Sequence, residues 1–539
     1  MGTLYSNLFV RCAAGIDHEY TVSQGRKERI MMAGMKSGIK SGIIFGLILS
    51  LGLTLSGGMQ VKAADDKKAT NEKTVTLRIS NWEEYLDEGD WDEEDTIDLE
   101  SGDIIGENSM VEDFEDWYYE TYGIHVKVEY STYGTNEDLY NMLTLGDTYD
   151  LICPSEYMIM KLMKEGRLEP LSDHFFDTSD PENYYINGVS PYIKSVYDNS
   201  KVDGESWSKY AAGYMWGLTG IVYNPEEVTR EEASSWKILD DPKYKSQITI
   251  KDNVRDSYFA ALGALKSDLL TSDAFKNDPN YHDNLEKEMN DASPETIAEV
   301  QEYLQDVKKN AFSFESDSGK ADMITGKVVA NLQWSGDGVY TLDQADEDDF
   351  PLEFAVPEEA TNIYFDGWVM LKSGVHDDAA KQQAAEAFIN FTSRPDNVIR
   401  NMNYVGYTSV IAGGDDPRIF EYADWCYGAE DDETDVTPYD LSYFFSGEGT
   451  EGEYVIYAPT DQVDRQLFAQ YPDQDAISRS SIMLNFDDTQ NQEINQMWIS
   501  VRCYDVRDIP IWVWVLAGAG VLLLAGLMIR KKVRQRVNL

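Results

Sequence analysis

The sequence predicts an α/β fold, in which helices cover a parallel β-sheet, together with a transmembrane helix close to the C-terminus. Three observations support this prediction. First, residues 74–166 show three times in succession an alternation of apolar residues, as in a strand, followed by apolar residues at helical spacing. Second, the chain is 42% hydrophobic. Third, residues 509–529 contain no charged side chain. At about 100–200 residues per domain, this length of 539 residues allows two to four compact units. We therefore expect a folded portion of more than one unit that is attached to a membrane.

The N-terminal region contains a segment typical of secretory signal peptides. Residues 35–63 begin with a short basic stretch, continue with the apolar run Ile43–Leu55, and end at Ala63 before acidic residues. This layout predicts cleavage near Ala63, with an uncleaved N-terminal anchor as the alternative. Residues 1–34 fit no such pattern and form an uncertain leader. No cysteine that could carry a lipid follows the apolar run.

Strands and helices alternate after the signal peptide. Val75, Leu77 and Ile79 lie on one face of a strand of period two, and the first predicted helix ends at Gly123, a residue type common at helix C-caps. The β-α-β-α-β order that results implies a parallel sheet. The predicted strands are Thr74–Ser80, Ile124–Tyr130, Tyr149–Cys153, Gly217–Tyr223, Gln247–Ile250, Val328–Gln333 and Gly367–Leu371, and the predicted helices are Asp113–Tyr122, Asn136–Leu145, Tyr157–Glu165, Thr296–Val307 and Ala379–Phe391.

Residues 509–529 predict a single transmembrane helix. This uncharged run would span about 30 Å as a helix. Trp512 and Trp514 lie at one end, as interfacial aromatic residues do, and the five cations of the tail 530–539 follow the other end. The positive-inside rule places that tail in the cytoplasm and the folded portion on the extracellular face of the cell membrane. A buried core helix is the alternative.

Charge is distributed unevenly along the chain. The whole chain has a formal net charge of −52, and residues 64–508 alone carry 33 Lys and Arg against 94 Asp and Glu. Residues 1–63 and 509–539 are basic. Because a nucleic-acid-binding protein needs cations to neutralise phosphates, this composition argues against that class. The change of sign at both ends indicates parts that lie in different compartments.

Aromatic and acidic residues recur directly after the predicted strands, where open α/β sheets bind their ligands. Aromatic faces attract ammonium groups by about 0.5–2 kcal/mol each, and carboxylates accept charge-assisted hydrogen bonds from N–H donors. The pattern therefore indicates a receptor for an organic cation. Singly, a Trp at a strand end is more often a core residue, and an Asp a surface charge. The segments are Asn81–Tyr85, Ser155–Tyr157, Asp252–Asp256, Trp334–Asp337 and Tyr364–Asp366.

Between about residues 74 and 415 the chain contains, in this order, the seven segments RISNWEEYL, YSTYGTNEDLYNML, YDLICPSEYMIMKLMKEG, YMWGLTGIVYN, SSWKILDDPKYK, NLQWSGD and FINFTSRPDNV. Together they resemble the spermidine/putrescine-binding proteins, the extracellular receptors of polyamine ABC importers. The resemblance implies a two-lobed, type II-like periplasmic-binding-protein fold that closes at a hinge. Residues 74–213 with 362–415 would form the first lobe, and 214–361 with 416–505 the second. It also implies a polyamine ligand, ABC permease subunits with a cytoplasmic ATPase, and no cofactor.

The resemblance also implies which residues bind the ligand. Asp256 would hold a terminal amine, Asp366 would meet an inner nitrogen, and Trp334 would form an aromatic wall. The other residues of the implied site are Trp82, Glu83, Tyr85, Ser155, Tyr157, Asn253, Tyr364 and Tyr407.

Two positions depart from the spermidine-preferring members of that family, which have an acidic residue where Asn253 stands and Trp where Tyr364 stands. A missing carboxylate weakens the binding of one amine, and the Tyr ring offers a smaller aromatic face than the Trp ring. Putrescine and spermidine are therefore both candidate ligands. An acidic insertion, residues 86–112, follows the first binding segment. We interpret it either as a lip that concentrates cations at the cleft or as a solvated loop.

The alternative to a binding protein is an enzyme. The chain has five His, none in a metal-binding spacing, and it contains no G-x-S-x-G elbow, P-loop or dinucleotide fingerprint. We therefore predict a binding protein without catalytic or metal-binding residues. The alternative within the same fold is a receptor for another small cationic or neutral solute, such as a sugar.

Overall fold

The computed structural model describes residues 74–92, 95–430, 432–447 and 449–503. The predicted leader, signal peptide, transmembrane helix and basic tail lie outside these residues. Within the described ranges, each helix is too short or too polar to cross a membrane.

The described residues form 18 strands, several of which consist of only two or three residues. They are β1 Thr74–Trp82, β2 Ile97–Leu99, β3 Gly102–Ile104, β4 His125–Tyr133, β5 Leu151–Ile152, β6 Leu168–Glu169, β7 Lys201–Val202, β8 Glu205–Ser206, β9 Ala211–Tyr223, β10 Ile248–Lys251, β11 Ser313–Glu315, β12 Ala330–Trp334, β13 Glu353–Ala355, β14 Thr361–Leu371, β15 Thr408–Ser409, β16 Val436–Asp440, β17 Val455–Pro459 and β18 Ser480–Ser481.

Helices cover the sheet. Those of eight or more residues are Met110–Tyr122, Asn136–Leu145, Glu156–Lys164, Pro191–Asn199, Val254–Leu265, Tyr281–Met289, Pro294–Asn310, Ser335–Glu347, Ala379–Thr392, Pro395–Val405, Arg418–Tyr427 and Asp488–Arg502. Shorter helical segments are Tyr184–Gly188, Trp207–Lys209, Arg230–Ala233, Trp236–Asp240, Pro242–Tyr244, Ser267–Leu270, Asp273–Lys276, Gly319–Ile324, Lys372–Val375, Ser442–Phe445, Val463–Leu467, Phe468–Gln470 and Gln474–Ser478.

The main sheet confirms the predicted β-α-β-α-β unit. Its central path runs β11-β10-β12-β9-β14-β5-β1-β4. On one side β1 pairs in parallel with β4 and β5, and on the other side β10 pairs in parallel with β11 and β12. The antiparallel pair β9 and β14 joins the two sides.

The two joining strands are longer than the sequence pattern predicted. β9 begins at Ala211 rather than Gly217, and β14 begins at Thr361 rather than Gly367. All their residues are buried. A strand that is buried on both faces has no alternation of apolar and polar residues to mark its start.

The predicted helix boundaries are close to those observed, and local capping explains them. The first long helix ends before Gly123, which has the left-handed φ of 64°. It begins at Met110, earlier than predicted, because Ser109 and Glu112 form a reciprocal capping box.

The segment after Val410 contacts elements from both sides of the sheet. Helix Arg418–Tyr427 packs against β2, and Ser442–Phe445 packs against Pro191–Asn199, whereas Asp488–Arg502 packs against Pro294–Asn310. The predicted assignment of residues 416–505 to the second lobe stays a prediction, as do the other lobe boundaries.

Candidate functional site

A cavity of about 1020 Å³ lies at the carboxyl ends of strands from both sides of the sheet. Trp82 and Trp334 end β1 and β12, and Ser155 and Asn253 follow β5 and β10. The structure brings all eleven predicted site residues into the walls of this cavity. They are Trp82, Glu83, Tyr85, Ser155, Tyr157, Asn253, Asp256, Trp334, Tyr364, Asp366 and Tyr407.

Asp366 lies where the two long joining strands are irregular. The pairing register of β9 and β14 shifts between Phe365 and Gly367, so Asp366 alone stands opposite two residues of β9. A bulge of this kind redirects a side chain. The Asp366 carboxylate is 5% exposed; its Oδ1 accepts a hydrogen bond from Ser155 Oγ and its Oδ2 from Tyr85 OH, both at 2.7 Å.

The Asp366 carboxylate has no cationic partner among the residues that the structure describes. Burial raises its pKa to about 6, although the hydrogen bonds from Ser155 and Tyr85 act to lower it. A buried carboxylate without a cation is costly. This position therefore favours an added cation that can donate a hydrogen bond.

Asp256 is another buried carboxylate of the cavity. It lies in the first turn of helix Val254–Leu265, where Trp334 Nε1 donates a hydrogen bond to its Oδ1 at 3.3 Å. Burial raises the pKa of Asp256 to about 6, against the Trp334 hydrogen bond and the charge of Lys251, which act to lower it.

Asn253 has a structural role at the same helix. Its side-chain oxygen accepts hydrogen bonds from the backbone N–H groups of Arg255 and Asp256, at 2.9 and 3.3 Å, and so caps the helix. Asn253 therefore lines the cavity as predicted, but its side-chain oxygen is already used in hydrogen bonds to the backbone of the helix.

Glu156, which was not among the predicted site residues, is a further buried carboxyl group in the cavity wall. It accepts hydrogen bonds from the backbone N–H groups of Phe365 at 3.1 Å and Met483 at 3.3 Å. Burial nevertheless raises its pKa to about 8. Because the group is mostly protonated at pH 7, it adds little negative charge to the cavity.

Aromatic rings pack around Asp366. The rings of Tyr85 and Tyr407 meet edge to face with their centroids 4.8 Å apart, and Tyr364 lies 6.3 Å from Tyr407. The Tyr407 ring is close to Gly336, where a Cβ atom would come within 2.2 Å of it. A glycine at position 336 therefore allows Tyr407 to reach the cavity.

Two lysines and one more aspartate, none of them among the predicted site residues, line the cavity near Trp334. Lys251 Nζ lies 3.0 Å from Asp337 Oδ2 and 4.5 Å from the centre of the Trp334 ring. Lys320 Nζ lies 2.7 Å from Asp317 and 3.8 Å from Asp337. Burial acts to raise the pKa of Asp337, but the two ammonium groups hold it below its ordinary value. The sequence signal was present, because Lys251 ends β10 and Asp337 belongs to the segment after β12.

The acidic insertion contributes to the cavity wall. Glu88, Gly89, Asp90, Trp91 and Asp95 all line it. The insertion is folded in its described part, where β2 and β3 pair as a short hairpin.

The cavity combines aromatic faces with carboxylates, an arrangement that suits an organic cation with N–H donors and methylene groups. Within the described ranges, no three His, Cys, Asp or Glu side chains are grouped so that they could hold a metal ion.

Residues 109–422 match the family model described as bacterial extracellular solute-binding protein. Among curated relatives, the spermidine/putrescine-binding periplasmic protein of Escherichia coli (strain K12) is 26% identical over 356 residues, covering 66% of this chain and 80% of the relative. The putrescine-binding periplasmic protein PotF of the same organism is 24% identical over 297 residues, which cover 53% of this chain and 71% of the relative.

Two solved structures have similar folds. The spermidine/putrescine ABC transporter substrate-binding protein PotD from Streptococcus pneumoniae is 22% identical in sequence. Its structure aligns with a TM-score of 0.50, and the alignment covers 79% of this chain and 98% of that chain. The Tp0655 (TpPotD) lipoprotein of Treponema pallidum is 17% identical, with a TM-score of 0.51 and coverage of 79% and 99%. These similarities confirm the predicted α/β periplasmic-binding-protein fold.

Proposed function

The chain belongs to the bacterial extracellular solute-binding proteins, and we propose that it is the substrate-binding receptor of an ABC importer, which captures a polyamine in the cavity around Asp366. The observation that carries the proposal is the Asp366 carboxylate, which is buried, held by two hydroxyl donors and surrounded by tyrosine rings. Relatives named for spermidine and putrescine binding support the same ligand class.

The cavity offers two carboxylates to a ligand with more than one ammonium group. Asp366 and Asp256 receive hydrogen bonds from hydroxyl and indole groups, and neither forms a close ion pair with a described Lys or Arg. A polyamine ammonium replaces the lost water at each carboxylate with a charge-assisted hydrogen bond. The tyrosine and tryptophan faces between them would hold the methylene chain.

Closure of two lobes would complete the capture of the ligand. The long strands β9 and β14 join the two sides of the sheet, and β15 pairs with Met215 and Trp216 of β9. A few residues in such connecting strands can absorb a hinge rotation. The closed receptor would then deliver the polyamine to permease subunits that a cytoplasmic ATPase drives.

The predicted transmembrane helix 509–529 would keep the receptor at the extracellular face of the cell membrane. Tethering raises the effective concentration of a binding module near its partner. In this proposal the helix takes the role of the lipid anchor for which the mature N-terminus has no cysteine.

Calorimetric titration of the full chain with putrescine, spermidine, spermine and a neutral sugar tests the proposal. We expect one-to-one binding of at least one polyamine and no heat with the sugar. If the folded protein binds the sugar and no polyamine, the fold assignment stands and the polyamine function is wrong.

Polyamine affinity is expected to fall with decreasing pH. Asp366 and Asp256 each have a pKa of about 6 in the free protein. A bound ammonium favours the ionised form, so protonation competes with the ligand below that pH. Between pH 7 and pH 5 the affinity should decrease about tenfold for each carboxyl group. Calorimetry across this pH range measures the decrease in affinity. In Asp256→Asn, the decrease in the logarithm of the affinity should be about half of that in the wild type. An affinity independent of pH would contradict the assignment of both carboxylates.

The acidic insertion is expected to accelerate ligand capture at low ionic strength. Glu88 and Asp90 lie in the cavity wall, where their charge attracts a cationic ligand. The double substitution Glu88→Gln and Asp90→Asn should reduce the association rate about two- to fivefold at low salt and have little effect at high salt. Stopped-flow tyrosine and tryptophan fluorescence measures this rate. Glu299→Gln with Glu302→Gln, two exposed acids outside the cavity, is the matched control; equal rates in both variants would favour the solvated-loop interpretation.

A further inference from the structure

Lys251 is a buried cation inside the cavity for a cationic ligand. Its side chain is 1% exposed, and its ammonium group lies 3.0 Å from Asp337, 3.7 Å from Glu315 and 4.5 Å from the centre of the Trp334 ring. These are the contacts, carboxylate and aromatic face, that a ligand ammonium would otherwise make. One face of the Trp334 indole is therefore occupied by the protein itself.

Asp337 already contacts two lysines and a tyrosine hydroxyl of the protein. Lys251 contacts its Oδ2, Tyr407 OH donates to its Oδ1 at 3.1 Å, and Lys320 Nζ lies 3.8 Å from Oδ1. A ligand ammonium at this carboxylate would have to displace a lysine or lie beside two like charges, and like charges in contact across a binding site are unfavourable.

Three other buried acids in the cavity wall differ from Asp337. Asp366 and Asp256 accept hydrogen bonds from uncharged donors, and Glu156 is engaged by two backbone N–H groups. Asp366 and Asp256 thus form no close ion pair with a described Lys or Arg, whereas Lys251 and Lys320 are already paired with acids of the protein, namely Asp337, Glu315 and Asp317.

We propose that Lys251 determines ligand length: its ammonium group takes the position of a ligand amine at Trp334 and Asp337, so the cavity selects a linear diamine over a triamine. The inference rests on the proposed function. A diamine places one ammonium group at each of Asp366 and Asp256. A triamine brings an additional ammonium group, which meets the lysines.

Substitution of Lys251 by Met, which is similar in length and uncharged, tests the inference in the full chain. The wild-type protein should bind putrescine about tenfold more tightly than spermidine, and Lys251→Met should lower that ratio of affinities about tenfold, because the position that the Lys251 ammonium group occupies at Trp334 and Asp337 becomes available to the additional amine. The ratio of the putrescine affinity to the spermidine affinity is the readout, because the loss of a cation from the cavity strengthens the binding of every polyamine. Lys320→Met is the matched control: Lys320 is near Asp337 but does not lie over Trp334, and its loss should change the ratio less.

A second variant keeps the test decisive if removal of Lys251 alone prevents folding. The double substitution Lys251→Met and Asp337→Asn removes both members of the ion pair, and it should still shift the ratio towards spermidine. A wild-type protein that binds polyamines, with the same ratio in the folded Lys251 variants, overturns this inference alone. A wild-type protein that binds no polyamine overturns the proposed function and this inference with it.

Discussion

Asp366→Asn is expected to abolish high-affinity polyamine binding. Removing one partner of a buried, hydrogen-bonded charge pair costs about 2–5 kcal/mol, which corresponds to a loss of affinity of about 30- to 5000-fold. The substitution retains the shape of the side chain and an oxygen that can accept from Ser155 or Tyr85. The loss would therefore report the missing charge. Calorimetric titration with the polyamine that binds the wild-type protein most tightly measures it.

The same substitution should leave the free protein at least as stable as the wild type at pH 7. The pKa of Asp366 is raised from 3.8 to about 6 in the folded state, so ionisation of this carboxyl destabilises the folded protein above pH 6 by up to about 3 kcal/mol. Asp268→Asn is the matched control, since it makes the same charge change at a side chain that is 99% exposed. Asp366→Asn binding within threefold of the wild-type affinity, with the control unchanged, would contradict the role of Asp366.

Arg400→Met is expected to destabilise the protein by about 3–5 kcal/mol, because breaking a buried ion pair leaves an uncompensated charge. Arg400 is 3% exposed; it donates to Asp87 and to the carbonyl of Asn108, and it lies 2.6 Å from Asp113. Asp87 is itself 1% exposed. One arginine thus holds residues at both ends of the acidic insertion against helix Pro395–Val405.

Urea unfolding of the full chain measures this effect as a change in the free energy of unfolding. Arg418→Met is the control, because Arg418 pairs with the nearby Asp416 and the two side chains are 29% and 30% exposed, so that its loss should cost less than about 1 kcal/mol. An equally small effect for Arg400→Met would show that the insertion does not depend on this network. We also expect slower ligand association in the Arg400 variant, since the insertion carries Glu88 and Asp90 at the cavity.

Most of the fold follows from patterns that a sequence displays locally. The strands at Thr74 and His125 alternate, and the helices between strands have apolar residues at helical spacing and glycine after their last turn. β9 and β14 were underestimated because burial on both faces removes alternation. The register shift that places Asp366 in the cavity depends on how these two strands pair, which a local pattern does not encode.

The candidate site could be predicted in part for a related reason. Strand ends in an α/β sheet point to one region, so aromatic and acidic residues after several strands could be grouped before their contacts were known. The lysine contacts could not be predicted, since Lys251, Lys320 and Asp337 meet only through tertiary packing. The capping role of Asn253 was not predicted, because no helix was predicted at Val254–Leu265, although Asn directly before a helix is a common N-cap.

A crystal structure of the protein with putrescine tests the central claim most directly. We predict one ligand molecule in the cavity, with one ammonium nitrogen within hydrogen-bonding distance of the Asp366 carboxylate and the other at Asp256. A ligand bound elsewhere, or a diamine in the cavity that contacts neither carboxylate, would contradict the account.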